Sequence, residues 1–171
     1  TLSGANSYTG GTTIGNGTLT VSGAPATAGS GLIAVGANTL DIINGANVAN
    51  NASLTTGTIA NSAGAGTLSG GLDLNGAGKL SSAGTGLLVS GVVSETGVGS
   101  TIEKLGAGTV TLANNNSYTG GTTITAGTLA INGLTVPAAS AGSGQIAVGA
   151  NTLVIDSGAS VGNTVIIAPG G

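Results

Sequence analysis

The sequence predicts an all-β chain wound as a right-handed parallel β-helix, a solenoid with coils of about 19–24 residues. Three observations carry that prediction: a long internal repeat, short strand phrases returning at coil-like spacing, and a composition almost without charge. Thr1–Ile14 matches Thr111–Ile124 at 11 of 14 positions, and Ala28–Leu40 matches Ala141–Leu153 at 12 of 13. Tyr118 answers Tyr8 in the first pair and Asn151 answers Asn38 in the second, so a loop has gained three residues in the later copy. Self-similarity of this kind marks units that bury their apolar faces by stacking on one another. The segment 1–61 thus corresponds to 111–171, with 62–110 as intervening coils. The whole reads as a single β-helical segment of a longer array.

The strand phrases come in chain order as G-T-L-T-V at 17–21, N-T-L-D-I at 38–42, G-T-V-T-L at 108–112, G-T-L-A-I at 127–131 and N-T-L-V-I at 151–155. Within each, two aliphatic residues stand two apart and share one face of a strand, as Leu19 and Val21 do. Shorter alternating pieces lie between them: Thr12–Ile14, Leu32–Val35, Leu72–Leu74, Leu87–Val89, Thr122–Ile124, Gln145–Val148 and Val165–Ile167. Asn-Gly at 16–17, 44–45, 75–76 and 132–133 and Gly-Gly at 10–11, 70–71 and 120–121 are read as corners supplying a positive φ. Gly23–Gly31 and Gly133–Gly144 are read as corresponding loops that bulge from the body. Strands this short fit a sandwich poorly and stacked coils well. At roughly 4.8 Å per strand, eight or nine coils would form a rod of about 40 Å. Interior stacks are expected to be Leu, Ile and Val, with Thr, Ser and Asn outside. High glycine density argues against helices.

Composition excludes several functions. Charged residues are 4% of the chain, against roughly 25% in ordinary globular domains. Lys79 and Lys104 are the only cations and the net charge is −3, so no basic patch can neutralise phosphates. Tyr8 and Tyr118 are the only aromatics, too few to stack bases. With no Cys, a disulfide framework and any thiolate metal site are ruled out. No run is long and apolar enough for a transmembrane helix, so this segment is not expected to insert in a membrane. Thr1 does not open a signal peptide, and the chain starts and stops inside its own repeat.

Ile102–Leu129, I-E-K-L-G-A-G-T-V-T-L-A-N-N-N-S-Y-T-G-G-T-T-I-T-A-G-T-L, closely resembles the passenger-associated transport repeat, also called the autotransporter-associated β-strand repeat. Thr1–Leu19 is similar to a second copy entered midway. The resemblance covers about a third of the chain, and the motif positions that carry it are Lys104, Gly106, Gly108, Tyr118, Gly120 and Gly121, with Tyr8, Gly10 and Gly11 in the first copy. It implies a passenger of a Gram-negative autotransporter or similar large adhesin, surface-exposed or secreted. In that family the repeat is thought to assist folding and export. The signal peptide and translocator barrel of a complete member are not in this sequence.

Candidate chemistry is sparse. A glycosidase needs two carboxylates facing a cleft. Here Asp41, Asp73, Glu95, Glu103 and Asp156 are read as solvated outward positions, and Asp41 and Asp156 align with Val154 and Ile43 of the other copy. Without His or Cys, a serine nucleophile would need Lys79 or Lys104 as its base. Lys104 beside Glu103 is read as a local ion pair of little energetic weight. G-G-L-D-L at 70–74 lacks the repetition of a calcium-binding β-roll. G-A-G-K at 76–79 fails as a phosphate loop, because Asp73 and Leu80 stand where a Gly and a Ser or Thr belong. The sequons at Asn16, Asn51 and Asn115 are expected by chance. Each tyrosine ring is expected over a corner, its hydroxyl reaching a backbone group. No enzyme, cofactor or metal is therefore expected. The expected role is a structural stalk of a surface adhesin, with neighbouring coils of the same or another copy as partners and the host or cell-surface ligand left open. The alternatives are a self-assembling fibre or matrix subunit joined through coil ends and, more weakly, a carbohydrate-binding adhesin surface.

Overall fold

The computed structural model describes residues 1–133, 139–156 and 158–168. Among them there is no helix, and nineteen short strands wind into a three-faced parallel solenoid. The first coil supplies β1 (Thr12–Thr13) and β2 (Thr18–Ser22), and the second β3 (Ile33–Gly36), β4 (Thr39–Ile43) and β5 (Ala46–Val48). The third supplies β6 (Ala52–Leu54), β7 (Thr58–Asn61) and β8 (Ala65–Leu68), and the fourth β9 (Leu72–Leu74), β10 (Ala77–Ser82) and β11 (Gly86–Val89). The fifth brings β12 (Val93–Glu95), β13 (Thr101–Leu105) and β14 (Thr109–Leu112). After it come β15 (Thr122–Ile124) and β16 (Thr128–Ile131), then β17 (Ile146–Val148) and β18 (Thr152–Ile155), and last β19 (Val165–Ile167).

Every strand pairs in parallel with its counterpart one coil away. Sheet I runs β1-β3-β6-β9-β12, sheet II β2-β4-β7-β10-β13-β15-β17-β19, and sheet III β5-β8-β11-β14-β16-β18. Successive partners on sheet II are Thr18, Thr39, Thr58, Lys79, Glu103, Thr123, Ala147 and Ile166. The shortest steps run from Thr39 to Thr58 and from Ala147 to Ile166, and the longest from Lys79 to Glu103 and from Thr123 to Ala147. That is the range of coil lengths expected from the strand phrases. The solenoid has about seven turns, the steps between the eight strands of sheet II, rather than eight or nine. Its length is then roughly 34 Å. The seven steps carry Thr18 to Ile166 at about 21 residues each, and residues 1–17, before the first strand of sheet II, add to that face only the isolated bridge of Leu2 to Val21.

Alternation places one residue in two inside. The inward column of sheet II is Leu19, Leu40, Ile59, Leu80, Lys104, Ile124, Val148 and Ile167. Leu40, Ile59, Leu80, Lys104 and Ile124 are at most 2% exposed. Sheets I and III contribute buried Ile33, Leu54, Leu72, Leu74, Leu68, Leu87, Val110, Leu112, Leu129 and Ile131. Each fully buried aliphatic contributes about 1.5–3 kcal/mol, so stability is spread along the axis. The interior is not wholly aliphatic, however. Asn61, Ser82 and Lys104 are buried with it, which the expected Leu, Ile and Val interior did not include.

The sequence repeat is out of step with the coil. Five register steps from Thr18 lead to Thr123, whereas its sequence equivalent is Thr128. The phrase around Thr12–Ile14 therefore lies on sheet I, and its copy at Thr122–Ile124 lies on sheet II. Likewise G-T-L-T-V lies on sheet II and G-T-L-A-I on sheet III. The second copy is rotated by one face of the solenoid. An aliphatic strand flanked by Gly or Asn fits any of the three faces, because each offers the same parallel ladder and the same apolar interior.

The loops also differ from expectation. Gly23–Gly31 does not simply bulge outward, since Ala26 and Ala28 are 2% and 0% exposed. The Gly23 amide donates to the Ile43 carbonyl of the second coil, which ties the segment to the body. In the corresponding loop Ala139 and Ala141 are equally buried. Its residues 134–138 fall outside those described.

Candidate functional site

The coil corners hold the polar chemistry of this chain. A parallel coil must turn three times, and each turn leaves carbonyls that the ladders do not use. Asparagine amides cap them. Asn38 Nδ2 donates to the Ile14 carbonyl, and Asn151 Nδ2 does the same to Ile124. Asn50 Nδ2 lies 2.7–3.2 Å from the carbonyls of Ala28, Gly29 and Gly31, a fork that Asn163 repeats at Ala141, Gly142 and Gly144. Asn61 Nδ2 donates to Ile42 and Ala63, and its Oδ1 accepts from the Ser82 hydroxyl. The sequence reading assigned Asn at corners to backbone conformation. Among the described non-glycine residues only Asn44 has a positive φ, at 55°. The signal that could have found these caps is recurrence of Asn at both copies, 38 with 151 and 50 with 163. Asn50→Ala is expected to cost about 1–3 kcal/mol, the penalty for stranding buried acceptors. Equilibrium urea unfolding, with the slope unchanged, checks this.

The glycine corners divide by cause. In the Asn-Gly corners Gly17, Gly45 and Gly76 have the expected positive φ, and Gly133 does not. In the Gly-Gly corners none of Gly10, Gly11, Gly70, Gly71, Gly120 and Gly121 has one. Most of these are glycine because a neighbouring coil lies against them. A Cβ on Gly70 would stand 1.9 Å from the Asn50 carbonyl oxygen, and one on Gly120 2.2 Å from that of Ser100. Gly11 and Gly121 meet Leu32 O and Gln145 O at 3.1 and 2.8 Å, while Gly10 has nothing within 4 Å. Gly106, with φ 76°, would place a Cβ 2.3 Å from Ser82 O, and Gly108 would meet Ser82 Oγ at 2.8 Å.

Tyr8 and Tyr118 adopt the same local geometry. Each phenol hydroxyl shares a 2.7 Å hydrogen bond with a threonine Oγ1, of Thr12 and Thr122, not with the backbone. Ring packing over the corner is as expected: a Cβ on Gly29 or Gly142 would come within 3 Å of the ring. Tyr118 is fully buried and Tyr8 is 39% exposed, because the fifth coil lies beneath Tyr118. Burial pushes the Tyr118 hydroxyl well above the ordinary tyrosine range, opposed by the Thr122 hydrogen bond.

Lys104 is not paired with Glu103. It points inward, is 0% exposed, and its Nζ donates to the carbonyls of Leu105, Gly106 and Ala126 at 2.9, 2.8 and 2.8 Å. Adjacent strand residues face opposite sides, so Glu103 lies outside, accepting from Thr125 Oγ1 at 2.9 Å. Desolvation holds the Lys104 ammonium below the usual lysine value. Lys79, on the outward column, donates to Thr56 O at 3.1 Å. Asp41 is only 8% exposed, accepting from the Ser62 amide at 3.0 Å and the Ser62 hydroxyl at 2.6 Å, so it is not a solvated position. Asp73 accepts from Thr96, and Glu95 from Thr119 and the Ser100 amide. Chiefly the Thr119 hydrogen bond lowers the Glu95 pKa. These carboxylates are thus spread over successive coils, each bound to neighbouring Ser or Thr. Among the described residues no group of three or more His, Cys, Asp or Glu could hold a metal ion, and no helix is long and apolar enough to cross a membrane. A shallow groove of about 260 Å³ lies between Ala24, Pro25, Ala26 and Thr27 on one side and Gly45, Asn47 and Ala49 on the other. Its lining of small residues, with Thr27 and Asn47 the polar members, offers no aromatic platform for a sugar ring.

Lys104, Gly106, Gly108, Tyr118, Gly120 and Gly121 all lie within one of the two segments that the comparisons with known proteins match. Residues 1–21 and 102–131 match the family described as passenger-associated-transport-repeat. These two segments are passenger-associated transport repeats. An adhesin autotransporter of Brucella suis biovar 1 (strain 1330), BmaC, is 42% identical over 132 residues, which cover 75% of this chain and 4% of that adhesin. The chain thus spans a small part of the length of the relative it matches. No solved structure matches it. In the second transport repeat the lysine lies on β13 in the fifth coil and the tyrosine follows in the sixth. The repeat is therefore a junction across coils, not a single coil.

Proposed function

We propose that this chain is a length of non-catalytic stalk within the passenger of an autotransporter adhesin, carried on the surface of a Gram-negative bacterium or released from it. The observation that carries this reading is the coincidence of the two transport repeats with a parallel three-sheet solenoid. Residues 1–61 and 111–171 are then successive repeats of a longer array, joined by the coils of 62–110. The polar groups are consumed by corners and outward ladders, which leaves rigidity and reach as what the segment supplies. The test is made in the full-length polypeptide on intact cells. Alanine at Thr39, Thr58, Lys79 and Glu103 on the outward column should leave surface display and adhesion unchanged. In-frame removal of the whole segment should shorten the projection seen by electron microscopy while leaving the rest displayed. Loss of adhesion from the outward substitutions alone would overturn the stalk reading in favour of a ligand-binding face.

A second reading is favoured by one observation. All three side chains of β19 are exposed, Ile167 by 73%, and Ile155 on β18 by 50%. That edge accepts either further coils of one polypeptide or the first coil of another copy. Sedimentation of this chain over a hundredfold concentration range separates these. Growth along the axis supports a self-assembling fibre subunit, and a concentration-independent monomer removes it.

A further inference from the structure

Lys104 occupies a position that packing alone would give to leucine. Its neighbours on the inward column are Leu80 and Ile124, and the other members are aliphatic. Asp41, Asp73, Glu95 and Glu103 are each taken up by Ser or Thr elsewhere. What meets the ammonium is a cage of three carbonyls, two from its own corner, Leu105 and Gly106, and one from the next coil, Ala126. Before that next coil is in place, the fifth coil is the open edge of three parallel ladders. An open edge of parallel strands pairs readily with any extended chain, and an inward-pointing charge is a known means of blunting it.

We propose that Lys104 is a gatekeeper of solenoid growth: its ammonium keeps the edge of the fifth coil from pairing with an incorrect strand, and admits the sixth coil because that coil brings the Ala126 carbonyl to the third proton. A strand in the wrong register, or from another molecule, covers the ammonium without supplying an acceptor and so strands a buried charge. The correct coil completes the cage and then buries it. Because the transport repeat spans this junction, the charge sits where the second copy begins.

The same geometry separates the gatekeeper from a plain structural bond. In Lys104→Met the side chain fills the aliphatic stack, and Leu105, Gly106 and Ala126 are half-buried, within reach of water in place of the ammonium. Lys104→Arg keeps the charge but is too large for the cage. The measurement is refolding of this chain from denaturant over a range of concentrations, reading the soluble monomeric fraction, together with the equilibrium unfolding midpoint. Lys104→Met should keep its midpoint yet lose about threefold or more of its soluble yield, since an unguarded hydrophobic edge aggregates. Lys104→Arg should show a lower midpoint and an unimpaired yield. Lys79→Met, which removes the same charge from the outward column, should leave the yield unchanged. If yield follows the midpoint across the variants, or Lys104→Met refolds as well as the parent, the gatekeeper is overturned. Failure of Lys104→Met to reach the native state even in dilute solution, with Lys104→Arg normal, overturns it as well, because Lys104 would then be a structural strut.

Discussion

Gly70→Ala and Gly91→Ala should each destabilise the chain by about 3 kcal/mol, the upper end for overpacking and among the largest effects of any single methyl group here. A Cβ on Gly70 would stand 1.9 Å from the Asn50 carbonyl oxygen, and one on Gly91 1.9 Å from that of Gly70. The obstructing atom in both cases is backbone held in a coil, so relief requires moving the ladder rather than a side chain. The three residues form a continuous column in which each coil is closed against the next. Gly10→Ala supplies the control. Gly10 is the sequence equivalent of Gly120, yet a Cβ there meets nothing within 4 Å, while at Gly120 it meets Ser100 O at 2.2 Å. Gly120→Ala should therefore unfold at much lower urea than the parent, and Gly10→Ala should fall within about 0.5 kcal/mol of it. Equal losses at Gly10 and Gly120 would show that the motif glycines act through local conformation and not through close stacking.

Tyr118→Ala should cost about 3–5 kcal/mol, as removal of a large buried ring does, whereas Tyr8→Ala should cost about 1 kcal/mol, its ring being 39% exposed. The two tyrosines share a motif, a threonine partner and a glycine pressed against the ring, so the contrast isolates the burial of the ring in this chain. Tyr118→Phe keeps the packing and loses the hydrogen bond to buried Thr122, an expected loss of about 1 kcal/mol. It also changes the alkaline limb. Because burial raises the folded-state value of Tyr118 above the ordinary one of about 10, its contribution is fully present below that pH. It is lost as pH climbs above about 10, where the unfolded chain ionises and the folded chain does not. Urea midpoints measured between about pH 8 and 11 should fall more steeply for the parent than for Tyr118→Phe. Parallel curves would mean that the ring is not shielded from water.

What the sequence determined by itself is the local grammar. Apolar residues at every second place, short strands such as Thr39–Ile43 and Thr109–Leu112, and their return at a steady coil-like spacing sufficed for a parallel solenoid. The reason is that strand period and coil length are both written in the order of the residues. The transport repeat was legible for the same reason, and so were the aliphatic columns.

The tertiary structure decided what depends on the neighbouring coil. Lys104 beside Glu103 reads as a surface pair until alternation on β13 turns one inward and the other out, and only the next coil provides the Ala126 carbonyl that makes burial of the ammonium tolerable. Gly70 and Gly120 read as turn residues, yet what excludes a side chain is the backbone of the preceding coil. Asn50 belongs to no Asn-Gly corner and carries no local signal, because its amide serves carbonyls one coil away. The rotation of the second copy by one face has the same origin. Five coils along sheet II lead from Thr18 to Thr123, while the motif that began at Thr18 returns only at Thr128. Which face a phrase occupies is set by the sum of all preceding turns, and no single stretch of sequence records that sum.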